Sequence, residues 1–338
     1  MKQCFILVCL IISNIIGAGF ATGKEIYIFF TRFGSVSFVN IILACILFYK
    51  FINLYLTKGK THCPKNIYQA NIIMFGKYNT QFGMFYFLCY LIVISAMFAG
   101  VTELCNLLFN RQIAYVLSVL TAVVCLVVSV GGIKKINTIN SWFLPITVLL
   151  LILCAIFNIK GISLNINNTN NVFYSIFSVI SYVGINTLLC ANLLLLVGKD
   201  YSIKIIKVSA FVSVLILGVI ISLFNIVMLN GVSNINMPMI SLALKVNTTF
   251  GLLVMFGVWF CICSTITYYT YILAQYIRIK SGKTHIKNAL IIFVAYVISL
   301  FGFDKIITFL YPIIGVVGIV FTIILKYKTQ PLCAMQKR

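Results

Sequence analysis

The chain has 338 residues, 62% of them hydrophobic and 9% charged, with a formal net charge of +21 and a mean hydropathy of +1.12. That balance excludes an ordinary soluble domain and implies a membrane protein with several spans. The basic residues sit in short stretches between apolar runs instead of one aromatic-laced patch, which argues against nucleic acid and for an anionic membrane surface as their counterpart.

A helix needs about 20 apolar residues to cross a bilayer. The sequence offers ten such segments, at about 4–33, 35–56, 80–109, 112–130, 136–157, 171–198, 207–229, 249–277, 286–302 and 304–326. The first starts with Lys2 and "CFILVCLIISNIIGAGFA", a pattern that a removable leader would also show. It resumes at once with "IYIFF" and is read as a retained span.

This first span is broken at "GAGFATG" (17–23). A break in the bilayer frees backbone groups that hydrocarbon cannot satisfy, so it must line a polar cavity or lie buried in protein. Gly17, Gly19 and Gly23 permit the backbone angles and the close approach of a ligand. An outer half-helix starting near Thr22 would present N–H groups suited to a carboxylate. The run Thr22-Gly23-Lys24-Glu25 also fits a capping box. That structural role for Glu25 competes with the functional one expected of an acid inside a span. Glu103, in "AGVTEL", is the other acid within the spans. Counted from the helix centres, both fall in the outer half and could line one vestibule; the competing reading of Glu103 is a hydrogen-bonded carboxyl near the interface.

The sixth span is expected to break in the same way at "SYVGIN" (181–186), where a half-helix ending near Tyr182 would offer carbonyls to an ammonium group. The substrate-binding candidates are therefore Gly17, Ala18, Gly19, Phe20, Thr22, Gly23, Tyr182, Gly184 and Asn186. Such a pairing of donors and acceptors suits a zwitterionic amino acid. Each broken segment opens a block of five helices, and Pro145 and Pro312 sit at similar positions in the closing helix of each block. Five helices per block force opposite orientations, the plan of inverted-repeat transporters, here over about 4–157 and 171–326 within one domain. The alternative is that these glycines serve only close helix packing.

Orientation follows from the Lys and Arg residues. With the N-terminus inside, one side carries Lys2, Lys58, Lys60, Lys65, Lys77, Lys134, Lys135, Lys199, Lys204, Lys207, Arg278, Lys280, Lys283, Lys287, Lys326, Lys328, Lys337 and Arg338; the other has only Arg32, Arg111, Lys160, Lys245 and Lys305. Both termini are therefore expected in the cytoplasm, with the chain in the cell membrane.

"NIIGAGFATGKEIYIFFTRFG" and "AGVTEL" resemble the YkvI-type membrane proteins, a group regarded as amino acid permeases of the APC superfamily. The resemblance implies a LeuT-like fold of five plus five helices with a central substrate site. It also implies a place for sodium, because hydroxyls of the eighth helix and carbonyls of the first hold that ion in sodium-coupled LeuT-like proteins. The matching positions are Ser264 and Thr265, with main-chain groups near Ser13 and Ile16 and the side chain of Asn14 beside them. Oxygen-only ligation suits a hard cation, although Ser and Thr also bond within their own helix. A proton carried by Glu25 or Glu103 is the rival coupling ion.

The twelve cysteines are scattered singly without metal-ligand spacing and read as packing residues in a reduced setting. His62, His285, Asp200 and Asp304 read as loop or helix-end groups. With no HExxH or GxSxG, an intramembrane enzyme is disfavoured. The expected function is a secondary active transporter for a small amino acid-like solute, coupled to sodium or protons, with no cofactor beyond that ion. A transporter-fold sensor or a channel is the alternative.

Overall fold

The computed structural model describes residues 2–159, 172–232, 236–276 and 284–327, and every regular element among them is helical. The first segment is three pieces. Helix α1 (Lys2–Ile15) stops where Ile16 and Gly17 leave the helical path, α2 (Ala18–Thr22) follows a Gly17 with extended backbone, and α3 (Lys24–Phe29) follows Gly23. Gly23 sits at φ 83°, a left-handed conformation that only glycine adopts without strain, so it both ends α2 and starts α3.

A short 3₁₀ turn over Thr31–Phe33 leads to α4 (Val36–His62), then to α5 (Ile67–Phe75), which Asn66 caps by accepting a hydrogen bond from the Gln69 N–H at 2.9 Å. Next come α6 (Asn79–Asn106), α7 (Arg111–Val130), α8 (Gly132–Asn158), α9 (Val172–Gly198) and α10 (Ile203–Leu229). The short α11 (Pro238–Val246) precedes α12 (Thr248–Ala274) and α13 (Thr284–Ser299). The last segment opens with α14 (Phe303–Lys305), passes through a π turn over Ile306–Leu310 and ends in α15 (Tyr311–Tyr327). Pro312 has no N–H and crowds the carbonyl four residues back, which accounts for the irregular turn preceding it.

Among the described residues, seven helices are long and apolar enough to cross a membrane, where the sequence predicts ten spans. The first, fifth and ninth predicted spans are represented by the shorter apolar helices Lys2–Ile15, Pro145–Asn158 and His285–Ser299. The outward face of α7, with exposed Val116, Val119, Leu120, Val123 and Val127, is too apolar for water and suits lipid.

The predicted break in the sixth span is not there. Helix α9 is continuous through Ser181–Asn186. Its small residues serve packing instead: a Cβ on Gly184 would strike the carbonyl oxygen of Gly315, and one on Gly315 that of Ser181. Helices α9 and α15 thus meet backbone to backbone, as small-residue contacts between membrane helices allow. At the other end of α9, Gly198 and Gly59 make the same kind of approach between α9 and α4. Helix α9 is consequently a spine held on two sides, and the irregular segments are the first and the last.

Candidate functional site

The double break lets α2 and α3 turn side chains of neighbouring residues in different directions. Glu25, on the first turn of α3, is 8% exposed, and its carboxyl points back at Gly19, where an added Cβ would collide with Oε1. No hydrogen bond or ion pair reaches the carboxyl among the described residues. It lines a small cavity of about 30 Å³ together with Asn14, Gly17, Gly19, Asn186, Thr265, Tyr269 and Tyr311, closed on its apolar side by Ile15, Val93, Met97, Ile185 and Leu189. The space holds a water molecule or a bare ion.

The polar walls have uncommitted oxygens. Asn186 gives its amide N–H to the Tyr182 carbonyl at 3.0 Å, and Asn14 gives its own to Leu10 at 2.8 Å, so each side-chain oxygen remains an acceptor. The Thr265 hydroxyl donates to the Cys261 carbonyl at 2.9 Å and retains lone pairs. A Cβ on Gly17 would lie 3.9 Å from Thr265 Oγ1, which puts the break of the first segment against the middle of α12. A buried carboxyl with no basic partner is costly when ionised, so its charge must be offset by a proton or by a bound cation.

Lys24 points elsewhere. It is 1% exposed, and its Nζ donates to Asp304 at 2.6 Å and to Asn236 at 2.7 Å. This ion pair ties α3 to the start of the last segment at the end of the bundle that carries Arg32, Lys245 and Lys305. Asp304 is therefore a partner of the broken helix, not the ordinary helix-end charge expected from the sequence.

Of the predicted substrate-binding residues, Gly17, Gly19 and Asn186 line the cavity. Phe20 is buried with its ring 5.7 Å from that of Phe224, and Thr22 bonds to the Gly19 carbonyl at 2.9 Å. Gly23 acts as the hinge between α2 and α3, and Ala18 belongs to α2, its side chain lying outside the described residues. Tyr182 and Gly184 sit in unbroken helix, so the predicted free carbonyls at Tyr182 are already occupied; its ring packs against Phe29, Phe30 and Phe48.

Of the predicted coupling residues, Asn14, Thr265 and Glu25 line the cavity, whereas Ser13, Ile16, Ser264 and Glu103 do not. The Ser13 hydroxyl is turned to the Leu10 carbonyl at 3.0 Å, and Ser264 is one residue, a third of a turn, away from Thr265. Glu103 is half-buried on α6 and does not line the cavity that holds Glu25. The capping box also fails: Gly23 is the residue before α3 with no side-chain cap, and Thr22 Oγ1 accepts from the Lys24 N–H at 3.3 Å. Sequence reasoning missed Tyr269 and Tyr311. The four-residue spacing of Thr265 and Tyr269, which puts both on one face of α12, was the signal available.

No protein-family model matches the chain. It is 26% identical over 340 residues to the uncharacterized membrane protein YkvI of Bacillus subtilis (strain 168), an alignment that takes in 95% of this chain and 94% of that one. The likeness first noted in the opening motif thus extends along nearly the whole of both sequences, and the chain is similar to that membrane protein from end to end.

Proposed function

We propose that the chain is a secondary active transporter of a small amino acid-like solute, coupled to sodium or protons and working by alternating access. The observation that carries this reading is the Glu25 carboxyl, buried without a basic partner in a polar cavity beside a twice-broken helix. In this reading Glu25 supplies the negative charge that the unbroken α9 cannot: it faces the coupling cation or proton, or the ammonium group of the solute. The oxygens of Asn14, Asn186, Thr265, Tyr269 and Tyr311 complete an oxygen-rich surround, which favours a hard cation or an ammonium.

The same proposal includes ten spans in one domain, two repeats at about 4–157 and 171–326, cytoplasmic termini and a place in the cell membrane. The eighteen-to-five split of the named basic residues supports the orientation. In this reading the small cavity and the Lys24–Asp304 pair belong to a closed conformation, from which a solute of amino-acid size would enter only after the helices separate. Uptake of a radiolabelled amino acid mixture into proteoliposomes tests the reading. It predicts accumulation under an imposed sodium or proton gradient and none without one; folded protein inactive under both gradients would contradict it.

A further inference from the structure

A second cavity, of about 780 Å³, opens at the end of the bundle that carries Lys58, Lys60, Lys65 and Lys199. It lies between α5, α6, α9 and α12, and its polar lining is neutral: side-chain amides such as Asn71, Asn79 and Gln275 and the hydroxyls of Tyr68, Tyr271 and Tyr276. Three helices relate it to the central cavity in the same order. Along α6 the central cavity has Met97 and Val93, and the larger one Phe87 and Gly83; along α9 they have Leu189 and Leu196; along α12 and the turn that follows it, Tyr269 and Tyr276. Seven residues of helix separate the last two pairs, a distance of about 10 Å.

That interval is filled by one layer of tyrosine and asparagine. The rings of Tyr86 and Tyr90, and of Tyr90 and Tyr269, have centroids 4.9 Å apart. Tyr86 and Tyr90 donate to the Leu188 and Leu189 carbonyls of α9, the latter at 3.0 Å. Tyr276 OH accepts from Asn71 of α5 at 2.6 Å and from Asn192 of α9 at 3.5 Å. Yet Asn71 and Asn192 are each 2% exposed, and their Oδ1 atoms have no partner among the described residues. A closed layer that leaves buried acceptors unsatisfied is held less firmly than its hydrogen bonds suggest. Helix α5, which supplies Asn71, is bracketed by Cys63 at φ 46° and Gly76 at φ 60°, the two irregular joints a moving segment needs.

The geometry points to the large cavity as the inner port of the solute path, taking a neutral or zwitterionic solute of amino-acid size, with Tyr276, Asn71 and Asn192 as the gate between it and Glu25. This deepens the transporter reading and rests on it for the identity of what passes. The neutral amide and hydroxyl lining accepts both ends of a zwitterion without holding either by charge, as an exit requires.

The test places a reporter in the central cavity by Met97→Cys and measures its modification by a membrane-impermeant methanethiosulfonate trimethylammonium reagent, read at that peptide by mass spectrometry. In inverted vesicles, where the basic end faces the reagent, the rate should rise about tenfold on adding Tyr276→Phe or Asn71→Ala. Tyr276→Phe retains the ring, so the layer keeps its packing. Rates unchanged in both variants, or raised only in right-side-out vesicles, would overturn the gate while leaving the transporter reading intact. A Tyr276-dependent rate in a protein that accumulates nothing under either gradient would support the gate and overturn the transporter reading.

Discussion

Glu25 and Gly19 form a unit: the carboxyl occupies the space that any side chain at position 19 would need. Gly19→Ala should therefore displace the carboxyl and lower gradient-driven uptake by at least about tenfold, since small misplacements of a binding group are costly. Gly17 has extended backbone, and a Cβ there would make only ordinary van der Waals contact with Thr265 Oγ1 at 3.9 Å, so Gly17→Ala should lower uptake less than Gly19→Ala does. Uptake assays of the two variants at matched membrane levels make the comparison; equal loss in both would show that the break tolerates no side chain anywhere and that Glu25 is not the reason. The sequence made Glu25 a candidate because an acid in a span is rare, but it offered a capping role as well. Only the left-handed Gly23, which takes the cap position itself, removes that alternative. Tyr311 was not legible, because an aromatic in an apolar helix looks the same whether it faces core, lipid or cavity, and Tyr269 could be reached only through its four-residue spacing from Thr265. The Lys24–Asp304 pair was illegible for a different reason: it joins residues 280 apart in the chain.

At the scale of elements, glycine carries opposite meanings in α1–α3 and in α9. Gly23 is needed for its backbone angle, whereas Gly184 is needed for the absence of a Cβ against Gly315. A run of small residues in a span is compatible with either, which is why "SYVGIN" reads as a break when it is a contact surface. Hydrogen exchange should separate the two. Backbone amides of 181–186 should be protected as in any buried helix, while those at 18–20, the first turn of α2, which have no main-chain acceptor among the described residues, should exchange faster; the reverse order would contradict the assigned helices. Gly184→Leu should destabilise the folded protein by about 1–3 kcal/mol through overpacking of α9 on α15, seen as a lower melting temperature in detergent. An unchanged melting temperature would mean that the two helices are not in backbone contact.

For the whole molecule, the distribution of basic residues and the two cavities give one direction to the bundle. The large port opens at the Lys-rich end, and the Lys24–Asp304 pair closes the sparsely basic one. Lys245→Cys, at the end of α11, should then react with impermeant reagent on intact cells, and Lys204→Cys, at the start of α10, should react only after permeabilisation. Labelling of both on intact cells would overturn the orientation. In the proposed function, Glu25 is the charge that links ion and solute at the centre of the bundle. Its most direct test is gradient-driven uptake in proteoliposomes containing the parent protein, Glu25→Gln or Glu103→Gln, with folding verified by melting temperature. The account predicts that Glu25→Gln abolishes accumulation while Glu103→Gln retains it; full accumulation by folded Glu25→Gln protein would contradict it.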